Sequence, residues 1–545
     1  MFEYETHGLM RSKSRLRNPG NGPQCIGDVL DQQLVRDPQR LALVGLSGRY
    51  SYAQLDQAVN SACQVLLKLR VKRYHRVAVC LPNDVDIIII FLAVARLGAI
   101  WVGINRPLAG PEKAYILRDC GAQVYLADTA MIAEIKQEPS ALLNLKHLIT
   151  VEPHISLSEW HILCELEKAN ALEKDPNVRP AVEIDPFEPA AIAYTSGTTG
   201  FPKGAVHSHH NILLPGAIAV YNRSYGADCP QGVMLPLTIL NLMVLGPMVA
   251  FQDGSCCVCM NSLAPESIAS WVREEKIGHF AAVPTVIFDL LSSPTIGKED
   301  LASLGKPDIG GAVCSEELQT LYRERFGRGV TVAYGMTEAP TIITRTDPER
   351  IPQFGLCGRA VEQLEIVIID ENDEILATGE EGEICFRPAK IGRFAGVYTP
   401  MLGYWNKPQE SKNVLRNGLY HTGDIGYLNA DTELTIRGRR NELIIRGGAN
   451  VYPAEVERVM AEHPAISTAA VLGISDDRLG QRVVAVVELQ QDAETTVADI
   501  YDFCRQRLAR YKVPETIKIV QTLPRNAMNK VIKPRLIPMF EFEQI

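Results

Sequence analysis

Residues 194–204 read Tyr-Thr-Ser-Gly-Thr-Thr-Gly-Phe-Pro-Lys-Gly, with four small hydroxyl side chains, three glycines and one lysine in eleven positions. Glycines let the backbone adopt positive φ and let a ligand come close to the amides. Successive exposed N–H groups form an anion nest to which Thr195, Ser196, Thr198 and Thr199 add donors. Lys203 adds one mobile positive charge. That combination suits a polyphosphate. It is not the Walker loop, because Gly-x-x-x-x-Gly-Lys-Ser/Thr is absent. A merely flexible surface loop rich in Ser, Thr and Gly seldom follows an apolar run such as Ala190–Ala193 and seldom ends in Pro-Lys-Gly.

Five further segments carry polar side chains at glycine turns or junctions. Tyr334-Gly-Met-Thr-Glu338 sets a hydroxyl and a carboxylate after a glycine turn, and Tyr420-His-Thr-Gly-Asp424 sets a carboxylate at another turn. Gly438-Arg439 opens a charged junction. Ile444 to Pro453 is a glycine loop leading into a helix. Leu523 to Lys530 ends on a lysine near the C-terminus. Cys256, Cys257 and Cys259 form the one cysteine cluster, without a second ligand pair for zinc. They read as part of a buried strand, Ser255 to Met260. His207, His209 and His210 read as surface or capping histidines.

The elements that must position these segments follow from periodicity. Helices are expected at Tyr52–Leu69, Val85–Leu97, Pro265–Glu275, Val286–Leu291 and Ser315–Phe326, alternating with strands such as Leu41–Val44, Arg76–Leu81, Gln123–Ala127, Phe280–Val283 and Asp308–Val313. The alternation predicts parallel sheets faced by helices. Residues 155–185 read as a surface connection. Short β runs, Glu365–Ile369 and Gly382–Phe386, predict an antiparallel, barrel-like portion. Beyond Gly438, two helices and two strands suffice for a small α+β domain.

Composition bounds the rest. The chain has 545 residues, 46% hydrophobic and 22% charged, with a net charge of −9. That is an ordinary globular profile with room for a large core and no basic field for nucleic acid. Thirteen scattered cysteines argue for reduced thiols and a cytoplasmic setting. The apolar stretch Val85–Ile104 is broken by Asp86, Arg96 and Gly98, so it reads as a buried helix and strand, not a membrane span. Residues 1–24 show no ordered role. Nothing fixes an oligomeric state.

In this order and at this spacing the six segments resemble the adenylate-forming superfamily, which comprises acyl-CoA synthetases, adenylation domains of peptide synthetases and beetle luciferases. The resemblance covers nearly the whole chain. It implies an α/β fold with a large N-terminal domain (25–438, after an extension 1–24) of two parallel-type βα sheets plus a small β-barrel-like portion. A small mobile α+β C-terminal domain (439–545) follows, hinged near Asn441.

The activity implied is AMP-forming acid–thiol ligation, in which ATP and a carboxylic acid give acyl-AMP and pyrophosphate, and coenzyme A then takes the acyl group. An acyl-AMP ligase serving a carrier protein and a catalytically degenerate nucleotide-binding homologue are the alternatives. No carrier domain follows Lys530 in the sequence, which favours free coenzyme A.

By resemblance, Thr195, Ser196, Gly197, Thr198, Thr199, Gly200 and Lys203 cradle phosphates, Glu338 holds Mg²⁺, Thr337 contacts the AMP phosphate and Tyr334 stacks on adenine. Gly311 and Gly335 join the nucleotide contacts. Asp424 accepts the ribose hydroxyls with Arg439 nearby, and Lys530 bridges carboxylate and α-phosphate. Gly447 and Gly448 resemble the loop lining the pantetheine tunnel, and Asp477–Arg482 matches a segment common in CoA ligases. Ile239, Leu240, Asn241, Val283 and Gly310 fall at the acyl pocket.

The chain departs from the family pattern in three places. Thr238-Ile239 replaces a common Phe-His gate, Asn441 replaces the hinge Asp or Lys, and Met528-Asn529 replaces Thr and Gly before the lysine. No acid lies in residues 238–246, so the acid expected lacks an α-ammonium. Leu240, Leu242, Met243, Val283, Pro284 and Val286 predict an apolar acyl or aryl group.

Overall fold

The computed structural model describes residues 2–12, 15–152, 178–195, 202–222, 224–305, 307–310, 316–349, 353, 355–440, 442–446, 449–476, 478–526 and 530–541. The chain divides into two units, one of residues 1–366 and 386–421, the other of residues 367–385 and 422–545.

Two mixed sheets build the first unit. One runs in the order Gly403–Tyr404, Lys203–Ser208, Pro189–Thr195, Ile100–Gly103, Arg76–Cys80, Val124–Ala127, His147–Thr150. Its strands are parallel from Pro189–Thr195 onward and antiparallel at the Lys203–Ser208 edge. The other holds Thr331–Met336, Asp308–Gly310, His279–Ala282, Gln231–Val233, Cys257–Cys259 and Leu41–Gly45 as parallel neighbours. Antiparallel strands flank it on both sides, Ala339–Arg345 and Gly48–Ser51. The cysteine cluster lies on that sheet with Cys257 and Cys259 fully buried, as its apolar neighbours imply. All eleven described cysteines are free thiols.

The helices with the clearest periodicity occur where expected, as Tyr52–Lys68 and Val85–Arg96. A capping box starts the first. Ser51 Oγ accepts from the Gln54 amide at 3.2 Å, and Gln54 Oε1 accepts from the Ser51 amide at 2.9 Å. Every residue of Val85–Arg96 is buried. Its polar residue Arg96 survives at 2% exposure because it donates to Asp56 Oδ1 and Asn60 Oδ1, both at 2.7 Å. No helix among the described residues is long and apolar enough to cross a membrane.

The N-terminal segment corrects its reading. Phe2, Tyr4 and Leu9 are buried in one core cluster with Leu402 and Trp405. The His7 ring stacks on Trp405 with centroids 4.0 Å apart. The Met10 amide donates to the Leu402 carbonyl at 2.7 Å, and the Asn406 amide to the His7 carbonyl at 2.9 Å. Phe2, Tyr4, His7, Leu9 and Met10 anchor a strap whose one regular piece is a single 3-10 turn, Glu5–His7, which leaves no helical or strand period to read.

In the second unit, Gly480–Leu489 pairs antiparallel with Ile466–Asp476 and parallel with Thr516–Val520. Helices Pro453–Ala461 and Val497–Arg505 supply Val456, Met460, Ile500 and Cys504 to a core shared with Val471, Val483 and Val487.

Asp86 sets a pH dependence. Burial, and then the neighbouring Asp84 charge, push its carboxyl up from 3.8 to about 7. A raised acid pKa means that the folded state holds the proton more tightly than the unfolded chain. The stability this gives is fully present below about 3.8 and is lost as pH rises through about 7. At about 1.4 kcal/mol per pH unit the loss is up to about 4 kcal/mol. Asp86→Asn is therefore expected to match the parent near pH 4 and to exceed it increasingly towards pH 8. Thermal unfolding across that range checks this, and parallel profiles would contradict it.

Candidate active site

The glycine-rich loop joins two antiparallel strands, Pro189–Thr195 and Lys203–Ser208, with Thr195 directly opposite Lys203. The hairpin thus sets a hydroxyl and an ammonium side by side at the mouth of the loop. Ser196, Gly197, Thr198, Thr199 and Gly200 lie outside the described residues. Gly204 is fixed by packing, since a Cβ there would stand 2.6 Å from Ile192 Cγ2.

Tyr334 to Glu338 does not sit after a glycine turn. Tyr334 and Gly335 lie within strand Thr331–Met336, and Met336 pairs with Ala339 of the returning strand. Thr337 and Glu338 are therefore the two residues of a tight hairpin turn. Gly335 is required by crowding, because a Cβ would meet the Thr341 carbonyl at 2.9 Å. Thr195 Oγ1 approaches Glu338 Oε1 at 3.5 Å, which joins the two sheets at this point. Tyr404 donates its hydroxyl to the same Glu338 oxygen at 2.8 Å, and Lys203 Nζ lies 5.5 Å from the Tyr404 ring centre. Among the described residues, neither Lys203 nor Glu338 forms an ion pair. Sequence reading passes over Tyr404, whose only signal is an aromatic pair, Tyr404-Trp405, after Gly403.

The pocket candidates gather at the carboxyl ends of parallel strands, where ligands bind in open α/β sheets. Ile239, Leu240 and Asn241 follow Gln231–Val233, Val283 follows His279–Ala282, and Gly310 ends Asp308–Gly310. Asn241 Nδ2 donates to the Met336 carbonyl at 3.0 Å, tying this segment to the Glu338 hairpin. The gate positions are held firmly. Thr238 Oγ1 donates to Asn105 Oδ1 at 2.7 Å, while Asn83 donates to the Leu235 carbonyl and accepts from the Leu237 amide, both at 2.8 Å. A helix, Leu240–Met243, runs into a π-helical turn, Val244–Met248. Leu235, Leu242, Leu245 and Phe280 line, with Gln231 and His279, a crevice of only about 10 Å³, room for a single water and not for an acyl group. Leu240 and Met243 belong instead to the hydrophobic core.

Three other residues assemble in the second unit. Asp424 is not at a turn. It lies inside strand Leu419–Leu428 opposite Arg439, next to Gly423 at φ +73. Arg439 Nε contacts Asp424 Oδ1 at 3.0 Å, with the aspartate side chain buried. Lys530 closes a loop in which the Asn526 amide donates to the Lys530 carbonyl at 2.8 Å and Asn526 Oδ1 accepts from the Lys530 amide at 3.0 Å. The side chain keeps solvent contact, yet its ammonium is held below the ordinary lysine value by desolvation first and Arg439 second, with Asp424 opposing. Gly311, Asn441, Gly447, Gly448, Asp477, Met528 and Asn529 lie outside the described residues.

The three histidines are buried, not surface residues. His207 Nδ1 is 2.8 Å from Asn211 Oδ1, and His210 Nε2 lies 2.8 Å from the Val397 carbonyl while its ring stacks on Phe187. Burial pulls His207 down to about 4 and His209 to about 3, so both are neutral at pH 7.

The sequence profile of the family described as AMP-binding enzyme matches residues 30–405, and that of the AMP-binding enzyme C-terminal domain matches 455–530. Long-chain-fatty-acid–CoA ligase FadD13 of Mycobacterium tuberculosis is 30% identical over 93% of this chain and 97% of its own. Indoleacetate–CoA ligase of Aromatoleum aromaticum is 30% identical over 93% and 96%. Among solved structures, ATP-bound MatB from Rhodopseudomonas palustris superposes with a TM-score of 0.82 at 26% identity, covering 95% of this chain and 99% of its own. The o-succinylbenzoate CoA synthetase MenE of Bacillus subtilis, with its acyl-adenylate, gives 0.80 at 26% identity, covering 93% and 97%. With both profiles matched in order, the chain belongs to the AMP-binding enzyme family, as an adenylate-forming protein of the acyl-CoA synthetase group.

Proposed function

We propose that the protein is an ATP-dependent carboxylate–CoA ligase. The observation that carries this reading is the gathering of Thr195, Lys203 and Glu338 around Tyr404, with both charges left unpaired among the described residues. A lysine and a carboxylate that do not neutralise each other leave one charge for phosphate and one for a cation.

The reaction has two steps. A carboxylate resists nucleophiles because oxide leaves poorly. Attack of one carboxylate oxygen on the α-phosphorus of ATP forms an O–P bond and breaks the bond to pyrophosphate, giving acyl-AMP. The thiolate of coenzyme A then attacks the acyl carbon, a C–S bond forms, and AMP departs with the electron pair of the broken C–O bond. The first transition state concentrates negative charge on phosphate oxygens, so preorganised cations and donors lower its energy.

In this reading Lys203, Thr195 and the glycine loop bind the phosphates, Thr337 the AMP phosphate, Tyr334 the adenine face and Asp424 the ribose. Lys530 bridges carboxylate and α-phosphate. Glu338 would hold Mg²⁺ together with ATP oxygens, a donor set that suits a hard cation, and the ion would supply charge neutralisation. Gly447 and Gly448 serve the thiol step. The small C-terminal domain from residue 439 acts as the movable lid.

Leu242 and Val283, partly buried apolar residues just past the ends of parallel strands, and the lack of an acid in residues 238–246 support an acid with an apolar body. The relatives named for long-chain fatty acid and for indoleacetate fit that class. Free thiols throughout the described residues support a cytoplasmic setting.

The purified protein with ATP, Mg²⁺, coenzyme A and a panel of acids is expected to release AMP only with apolar alkyl or aryl acids, and α-amino acids are expected to be inert. A folded protein that binds nucleotide but yields no CoA-dependent AMP with any acid would refute the proposal. Lys530→Ala is expected to slow adenylation by about 10²–10³-fold, as for loss of a transition-state donor. Thioester formation from preformed acyl-AMP should persist. Equal loss of both steps in rapid-quench assays would contradict the role given to Lys530.

A further inference from the structure

The Glu338 carboxylate and the Lys203 ammonium come from different sheets, and one side chain touches both. Tyr404 donates its hydroxyl to Glu338 Oε1 at 2.8 Å, and its ring centre lies 5.5 Å from Lys203 Nζ. A cation over a phenol face is attracted by the ring quadrupole.

Tyr404 is itself firmly held. It is 5% exposed. Its strand pairs with Lys203–Ser208, setting Tyr404 opposite Ala205, two residues from Lys203. Its amide donates to Ser411 Oγ at 2.8 Å. Gly403 takes φ +130 and leaves no room for a side chain, since a Cβ would lie 2.9 Å from Ser411 Oγ. The N-terminal strap grips both flanks of the strand, through Met10 to Leu402 on one side and His7 to Asn406 and Trp405 on the other. Behind it, the buried Tyr420 phenol is hydrogen-bonded with Tyr404, and burial followed by the nearby Glu338 charge keeps that phenol protonated. Tyr420 can donate to the Tyr404 oxygen, which directs the Tyr404 proton to Glu338.

We propose that Tyr404 is a positioning residue for the nucleotide–metal site, its hydroxyl aiming the Glu338 carboxylate and its ring keeping Lys203 from collapsing onto it. The proposal rests on the reading of Glu338 as the metal carboxylate and Lys203 as the phosphate cation. A carboxylate with one oxygen engaged by a phenol keeps the other oriented for a cation. An ammonium resting on an aromatic face stays available to phosphate, whereas an ammonium paired with Glu338 would cancel both charges.

The test is a Mn²⁺ titration in the presence of a non-hydrolysable ATP analogue, read by the electron paramagnetic resonance of free Mn²⁺. Metal-free affinity for the analogue is measured by calorimetry. The parent, Tyr404→Phe, Tyr404→Leu and Glu338→Gln are compared, with melting temperature as the fold control. Tyr404→Phe keeps the ring and removes the hydroxyl. It is expected to raise the half-saturating Mn²⁺ about tenfold, as for loss of a hydrogen bond to a charged group, and to leave metal-free affinity within about twofold. Tyr404→Leu is expected to raise the Mn²⁺ requirement equally and to weaken metal-free affinity about threefold or more through Lys203. A parent-like titration for Tyr404→Phe, with Glu338→Gln clearly impaired, overturns the role of Tyr404 and leaves that of Glu338 standing. A parent-like titration for Glu338→Gln overturns both. If Tyr404→Leu fails to fold, the Tyr404→Phe titration alone decides the hydroxyl's part.

Discussion

Two opposite charges must stand close together without neutralising one another if a site is to hold a polyphosphate and its counter-cation. In the proposed reading that constraint falls on Lys203 and Glu338, each of which is approached by the Tyr404 side chain. The 2.8 Å bond to Glu338 and the 5.5 Å approach of Lys203 to the ring make one phenol the shared reference point of both sheets. In water a lysine–glutamate pair is worth little, but at a half-buried site it would compete directly with ligand.

The fold serves that arrangement through strand ends. The Thr195–Lys203 register sets hydroxyl and ammonium together at the loop mouth. The Met336–Ala339 pairing leaves Thr337 and Glu338 as the only residues of their turn, so the carboxylate has little freedom to wander. Parallel strands ending on one side bring Ile239, Asn241, Val283 and Gly310 to the same edge, and Asn241 bonds the Met336 carbonyl next to the turn. The segment Leu235–Thr238 is clamped by Asn83 and Asn105, so its course is set by the fold without any ligand.

What the sequence disclosed depended on the physical signal available. Tyr52–Lys68 and Val85–Arg96 were legible because helical periodicity survives in an amphipathic or fully apolar run. The glycine-rich loop and the residues Glu338, Asp424 and Lys530 were legible as a motif order. Their local geometry was not. Asp424 lies mid-strand because Gly423 takes positive φ inside a ladder, which reads as a turn without its partner strand. The buried histidines were missed because polarity alone suggests the surface, whereas Asn211, Val397 and Phe187 supply partners that only the fold brings near. The N-terminal strap and Tyr404 were passed over, since a few aromatic contacts between distant positions carry no period.

In the proposed reaction an oxygen of an organic acid is joined to the α-phosphorus of ATP. Its most direct test is a single-turnover reaction with an acid whose carboxylate is labelled with ¹⁸O, followed by mass analysis of the nucleotide product after thiol transfer. One labelled oxygen is expected in AMP and none in pyrophosphate. Unlabelled AMP, or label appearing in orthophosphate beside ADP, would contradict it.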